Sequence, residues 1–148
     1  MPIPSKIHAQ ELRRISEESY VNQTFPCALV DAPGSDFGPD DAFASVMANE
    51  VQTGLGGYGR SQIGFVQGDI GTYEDGSLPM ARKSVIFEHD GTINQIIRFS
   101  HVVLLAPSES QILCMAKLAS RAALSDGQSA IFYFDFTLYG VYVADDLG

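Results

Sequence analysis

The residues able to do chemistry fall into a few groups. They are the glycine cluster Gly54-Leu-Gly-Gly-Tyr-Gly59, the histidines His8, His89 and His101, the cysteines Cys27 and Cys114, and the aspartates Asp31, Asp36, Asp40 and Asp41. A glycine cluster holds phosphates when it continues into Gly-Lys-Ser/Thr, or when it joins a strand to a helix. Here Arg60 follows Gly59, and the residues after it alternate as a strand does. The glycines therefore read as a turn that needs positive φ or close backbone approach. A zinc site from the two cysteines and two histidines lacks any Cys-x-x-Cys or His-x-x-x-His spacing. Asp36, Asp40 and Asp41 lack the EF-hand order, which leaves a solvated acidic loop. Ser100-His101 comes without a Gly-x-Ser-x-Gly elbow. Neighbours on a strand face opposite ways, so this pair is not expected to work as nucleophile and base. Both cysteines lie in apolar stretches and read as buried free thiols, although two strands could bring them together as a disulfide. No catalytic residue, metal or cofactor is expected.

The elements that must position these residues are mostly strands. Residues 5–20 carry the one clear helix, with Ser5 after Pro4 as its N-cap and Arg13/Glu17 and Arg14/Glu18 four apart. Ile7, Leu12 and Ile15 fall within about 140° of arc at 100° per residue, and this face is the candidate interface to a neighbouring subunit or to the chain's own sheet. Phe25–Val30 reads as a short strand, and Ala42–Val51 as a short helix capped by Asp40 or Asp41. From Arg60 onward strands follow at short spacing: around Ile63 and Phe65, Val85 to Glu88, Ile93 to Phe99, Val102 to Ala106 and Gln111 to Leu118. Asp90-Gly91 reads as a hairpin turn. The run from Ala130 to Leu138 puts Phe132, Phe134, Phe136 and Leu138 on one face of a long strand. The expected fold is mainly β, an antiparallel β-sandwich or barrel-like domain with an N-terminal α-helix.

Composition narrows the function. The chain has 148 residues, enough for one domain over 1–148, with a β-rich core expected over 25–143. Nine Lys plus Arg against eighteen Asp plus Glu leave a net charge of -9, which repels phosphate backbones and argues against nucleic acid as a partner. No apolar run approaches the roughly 20 residues of a membrane helix, and Met1–Lys6 lacks a signal-peptide core. A membrane partner is not expected. Without tryptophan, a sugar platform would have to come from Tyr58, Tyr73, Tyr133, Tyr139 or Tyr142. That is the basis of an alternative reading as a carbohydrate- or receptor-binding module.

One ordered set of motifs is more specific. Asn49-Glu-Val-Gln-Thr-Gly-Leu-Gly-Gly-Tyr-Gly-Arg60 is followed by Ser84-Val-Ile-Phe87, then Ile96–Leu105, then Arg121 and Gly127-Gln128 before the terminal strand. This order resembles a family of small virion proteins of tailed bacteriophages, which carry Glu-Val…Gly-Gly-Tyr-Ala-Arg, a Val-x-Phe strand and a late Gly-Gln or Gly-Asp turn. The resemblance covers about residues 25–140; Gly59 stands where the family has Ala, and the helix before residue 21 lies outside it. It implies a non-enzymatic virion structural protein, an oligomeric capsid decoration (cement) protein in the first instance and a tail, baseplate or fibre component in the second. The implied partners are copies of itself, as a trimer, and other virion proteins such as the major capsid protein. The acidic surface suits the capsid exterior. Gly56, Gly57, Tyr58 and Arg60 are then expected to be architectural, with the Arg60 guanidinium clamping carbonyls at the turn or a carboxylate.

Overall fold

The structure is a computed structural model and describes residues 2–4, 8–138 and 142–144. In chain order its elements are β1 (Pro2–Pro4), α1 (Ala9–Ser19), β2 (Thr24–Val30), α2 (Phe43–Met47), β3 (Ser61–Gly64), β4 (Leu78–Pro79), β5 (Lys83–Glu88), β6 (Ile97–Leu105), β7 (Ile112–Leu124), β8 (Ser129–Phe134), β9 (Thr137–Leu138) and β10 (Tyr142–Ala144). The protein is mainly β with antiparallel sheets and an N-terminal helix, and among the described residues no sheet closes into a barrel. The chain gathers into two compact units. One holds residues 1–23, 64–83 and 133–148, the other 24–63 and 84–132.

The larger unit is built on a four-stranded sheet of order β3-β2-β6-β7. Phe25 to Val30 are all buried, and so is β6 apart from Arg98. Such unbroken burial covers both faces of a strand, and the near-continuous apolar runs of these two strands match it. On one side Val30, Val103 and Leu105 pack with Val46 of α2. Elsewhere in this unit, Phe99 of β6 meets Phe132 of β8 edge to face at 6.0 Å, and Phe132 meets Phe87 of β5 at 6.3 Å. The β5–β8 pair thus forms a second antiparallel layer. In β6–β7, Phe99 faces Ala122 whereas His101 faces Lys117. The extra residues lie in β7, between Lys117 and Ala122, as a bulge.

In the smaller unit α1 lies against β4, which pairs with β9, while β1 pairs with β10. Tyr20, Phe65 and Phe136 form a three-ring cluster with centroids 5.0–6.0 Å apart. Lys83 pairs with Asp69 at 2.8 Å, and Asp69 also accepts from the Val66 N–H at 2.8 Å.

Several expectations are corrected. The helix runs over Ala9–Ser19 with His8 in the cap position, while Ser5 and Ile7 lie outside the described residues. Arg14 holds Glu18 at 2.7 Å and also Glu11, but Glu17 takes a hydrogen bond from Gln67 at 2.8 Å. The second helix spans only Phe43–Met47 and Ala42 is its N-cap. Asp41 accepts instead from the Gly38 N–H at 2.6 Å, closing the loop rather than the helix. Asp90-Gly91 does not make a hairpin. β5 pairs with the distant β8, residues 89–96 form a loop, and β6 begins only at Ile97. The long terminal strand divides at Asp135-Phe136 into β8 and β9.

Candidate functional site

The Gly54–Arg60 bend lies in the larger unit, and its glycines have two duties. Gly56 and Gly57 take φ of 57° and 79°, in the left-handed region. A Cβ on Gly56 would also stand 2.7 Å from the His89 ring, and one on Gly57 would stand 2.8 Å from the Asp90 Cβ. The backbone therefore approaches the 89–95 loop closer than any side chain permits. Hydrogen bonds lock the contact. The Gly56 N–H donates to Gln95 Oε1 at 2.7 Å, and the Asp90 N–H donates to the Gly56 carbonyl at 2.8 Å. His89, 4% exposed, accepts at Nδ1 from the Gly91 N–H at 2.9 Å. That contact places its proton on Nε2, which donates to the Gln95 carbonyl at 2.7 Å.

Tyr58 carries the bend into the sheet. Its ring is 3% exposed and stacks on Phe87 at 6.1 Å. Its hydroxyl accepts from the Leu29 N–H at 3.0 Å and donates to Glu50 Oε2 at 2.8 Å. Arg60 closes the cluster with a two-pronged grip on Glu50, Nε to Oε2 at 2.9 Å and Nη2 to Oε1 at 2.8 Å. A longer contact runs from Arg60 Nη1 to Glu109 at 3.4 Å. Burial alone would raise the Glu50 carboxyl, but the Arg60 guanidinium and the Tyr58 hydroxyl outweigh it and hold its pKa below the ordinary range. Burial pushes the Tyr58 phenol up, so it stays a donor. The carboxylate that Arg60 clamps is thus Glu50, ten residues upstream. Its position beside Val51 in the motif was the available signal; nothing in local sequence marked His89 or Gln95 as partners of the turn.

The other predicted residues are placed as follows. Leu12 is 1% exposed and Ile15 half-buried, so Leu12 is covered by its own chain and leaves no surface for a neighbour. Ser100 and His101 do touch, with Oγ and Nδ1 2.7 Å apart, contrary to the alternation argument. The ladder changes register between Phe99 and His101, which breaks the regular alternation there. Both residues are at most 3% exposed, and Ser100 Oγ also accepts from the Ala32 N–H at 2.8 Å. Burial and nearby Lys117 lower the His101 pKa. This pair braces β6 against the chain after β2. Cys27 and Cys114 are free thiols, but only Cys27 is buried. Each faces Leu104, from opposite sides of β6. One intervening strand separates them by roughly 10 Å, too far for a disulfide. Asp31 pairs with Arg121 and Asp36 with Lys117. Tyr58 is buried and cannot be a stacking platform, Tyr133 is 62% exposed, and Tyr139 lies outside the described residues.

Concavities line the described residues of this unit. One of about 490 Å3 lies beside the bend, between Arg60 and Glu88. Another of about 550 Å3 is floored by Phe37, Phe43 and Met115, and a third of about 300 Å3 contains Arg98 and Arg121. Among the described residues no three His, Cys, Asp or Glu side chains gather to hold a metal ion, and no helix is long and apolar enough to cross a membrane. The chain matches no protein-family model, no curated protein and no solved structure.

Proposed function

We propose that this chain is a non-enzymatic structural protein of a bacteriophage virion, an oligomeric decoration protein on the outside of the capsid. The observation that carries the reading is the use made of the motif's polar groups. The Tyr58 hydroxyl, the Glu50 carboxylate and two prongs of Arg60 satisfy one another and the Leu29 N–H. A site that turns over substrate keeps a reactive group accessible; this one joins a turn, β2 and the start of β3. The motif order quoted above supplies the virion assignment, and the acidic surface favours the exterior over contact with packaged DNA. Ile86 and Ile131 on the outer face of the β5–β8 pair, each 48% exposed, offer apolar surface to neighbouring copies or to the major capsid protein. The working assembly is a trimer.

Mass spectrometry of purified particles tests the assignment. Hundreds of copies per particle are expected for shell decoration. A handful of copies would move the protein to the tail, and absence from particles would overturn the reading. Light scattering on the isolated protein adds a second test: a discrete oligomer is expected, and a monomer persisting at high concentration counts against the decoration role.

A further inference from the structure

The third concavity has an unbalanced charge. It holds two carboxylates, Asp31 and Glu50, and two guanidinium groups, Arg98 and Arg121. Both carboxylates already have their cation. Arg121 grips Asp31 through Nε at 2.9 Å and through Nη2, and Arg60, from beyond the groove, grips Glu50. Arg98 is therefore surplus. It is also the one arginine among the described residues with no carboxylate or carbonyl partner: Arg13 reaches the Gly71 carbonyl, and Arg14, Arg60, Arg82 and Arg121 all hold carboxylates. In a chain with twice as many acids as bases, an arginine left over inside a concavity is the exception.

The surroundings give that charge direction. Arg98 is the one exposed residue of β6, whose other residues are all buried, so a rigid strand fixes its stem. Gln52 adds an amide at the rim, while Val51, Leu55 and Ile96 supply apolar wall. A guanidinium fork with a neighbouring amide matches the two oxygens of a carboxylate, and the apolar wall fits a short carbon chain behind it. A volume of about 300 Å3 is at the small end for a ligand pocket. It suits an acid of a few carbons or a single acidic side chain.

We propose that this groove is a carboxylate-binding site in which Arg98 forms the ion pair and Gln52 adds a hydrogen bond. The carboxylate has two possible sources, a free small dicarboxylic acid or an Asp or Glu side chain of a second copy of this chain, and the two are separable. The proposal does not rest on the virion assignment.

The test uses the full chain, 15N-labelled, with glutarate as the probe of the first source and sedimentation velocity as the probe of the second. If the carboxylate comes from a small molecule, glutarate shifts the Arg98 side-chain and Gln52 amide resonances saturably. Arg98→Gln then weakens that binding at least tenfold, while Arg98→Lys weakens it less. If it comes from a second copy, association is seen without glutarate, is lost in Arg98→Gln and is competed away by glutarate. Because Arg98 is exposed, both variants are expected to keep the wild-type spectrum elsewhere, so loss of binding is separable from loss of fold. The proposal is overturned if glutarate leaves both resonances unmoved and association is absent or unchanged in Arg98→Gln. It is also overturned if chloride at equal ionic strength reproduces the glutarate shifts.

Discussion

Ser16 shows what one hydroxyl does when nothing answers it. It is fully buried on α1, and its Oγ has no hydrogen-bond partner among the described residues. An unanswered buried hydroxyl costs about 1–3 kcal/mol, and alanine is also the better helix former. Ser16→Ala is therefore expected to raise stability by about 1 kcal/mol, read as a higher urea midpoint at unchanged m-value. Glu50 presents the opposite case, a charge with every neighbour arranged to receive it. Its pKa is lower in the folded protein than in the unfolded chain. The stability it contributes is thus complete above the ordinary carboxylate range and is lost as pH falls through the lowered folded value. Thermal melts between pH 7 and pH 3 are expected to show a shallower acid decline for Glu50→Gln than for wild type. They are also expected to show a lower melting temperature for the variant at pH 7, because Arg60 is left without its carboxylate.

Whole strands and helices add constraints that no side chain carries alone. Leu12 is the buried apolar residue of α1, so Leu12→Ala is expected to cost about 2–5 kcal/mol, read by chemical denaturation, with the sedimentation coefficient of the folded fraction unchanged. The order β2-β6-β7 places Leu104 between the two thiols. Burial raises the Cys27 thiol to about 12, and it is fully covered. A thiol reagent is expected to label Cys114 in the native protein and Cys27 only after unfolding; mass mapping of the label checks this. The strands themselves were legible in the sequence where burial is one-sided or complete: Phe25–Val30 and the apolar half of β6 stand where the pattern puts them. What periodicity could not supply was partnership. Asp90-Gly91 carries a strong hairpin signal, yet its loop is held through Asp90 and Gln95 by Gly56, more than thirty residues away, and β5 pairs with β8. The positive φ of the bend glycines was legible from composition. The approach of His89 behind them is a tertiary fact, and so is the contact between Ser100 and His101, which depends on extra residues in a different strand.

Neither compact unit is a continuous stretch of chain, and the chain passes between the two sets of residues four times. The smaller unit needs Phe136 for its ring cluster and β9 as the partner of β4. A chain stopped after Phe132 is therefore expected to lose the protection of the α1 amides in hydrogen exchange, whereas a chain stopped after Ala144 is expected to keep it. The same connectivity sets a timetable during translation. The ribosome makes α1 well before the residues of β9 that complete its surroundings, with roughly 6–24 s between them at about 5–20 residues per second. Throughout that interval an amphipathic helix has no finished seat, and nascent chains at this stage are the natural clients of a holding chaperone.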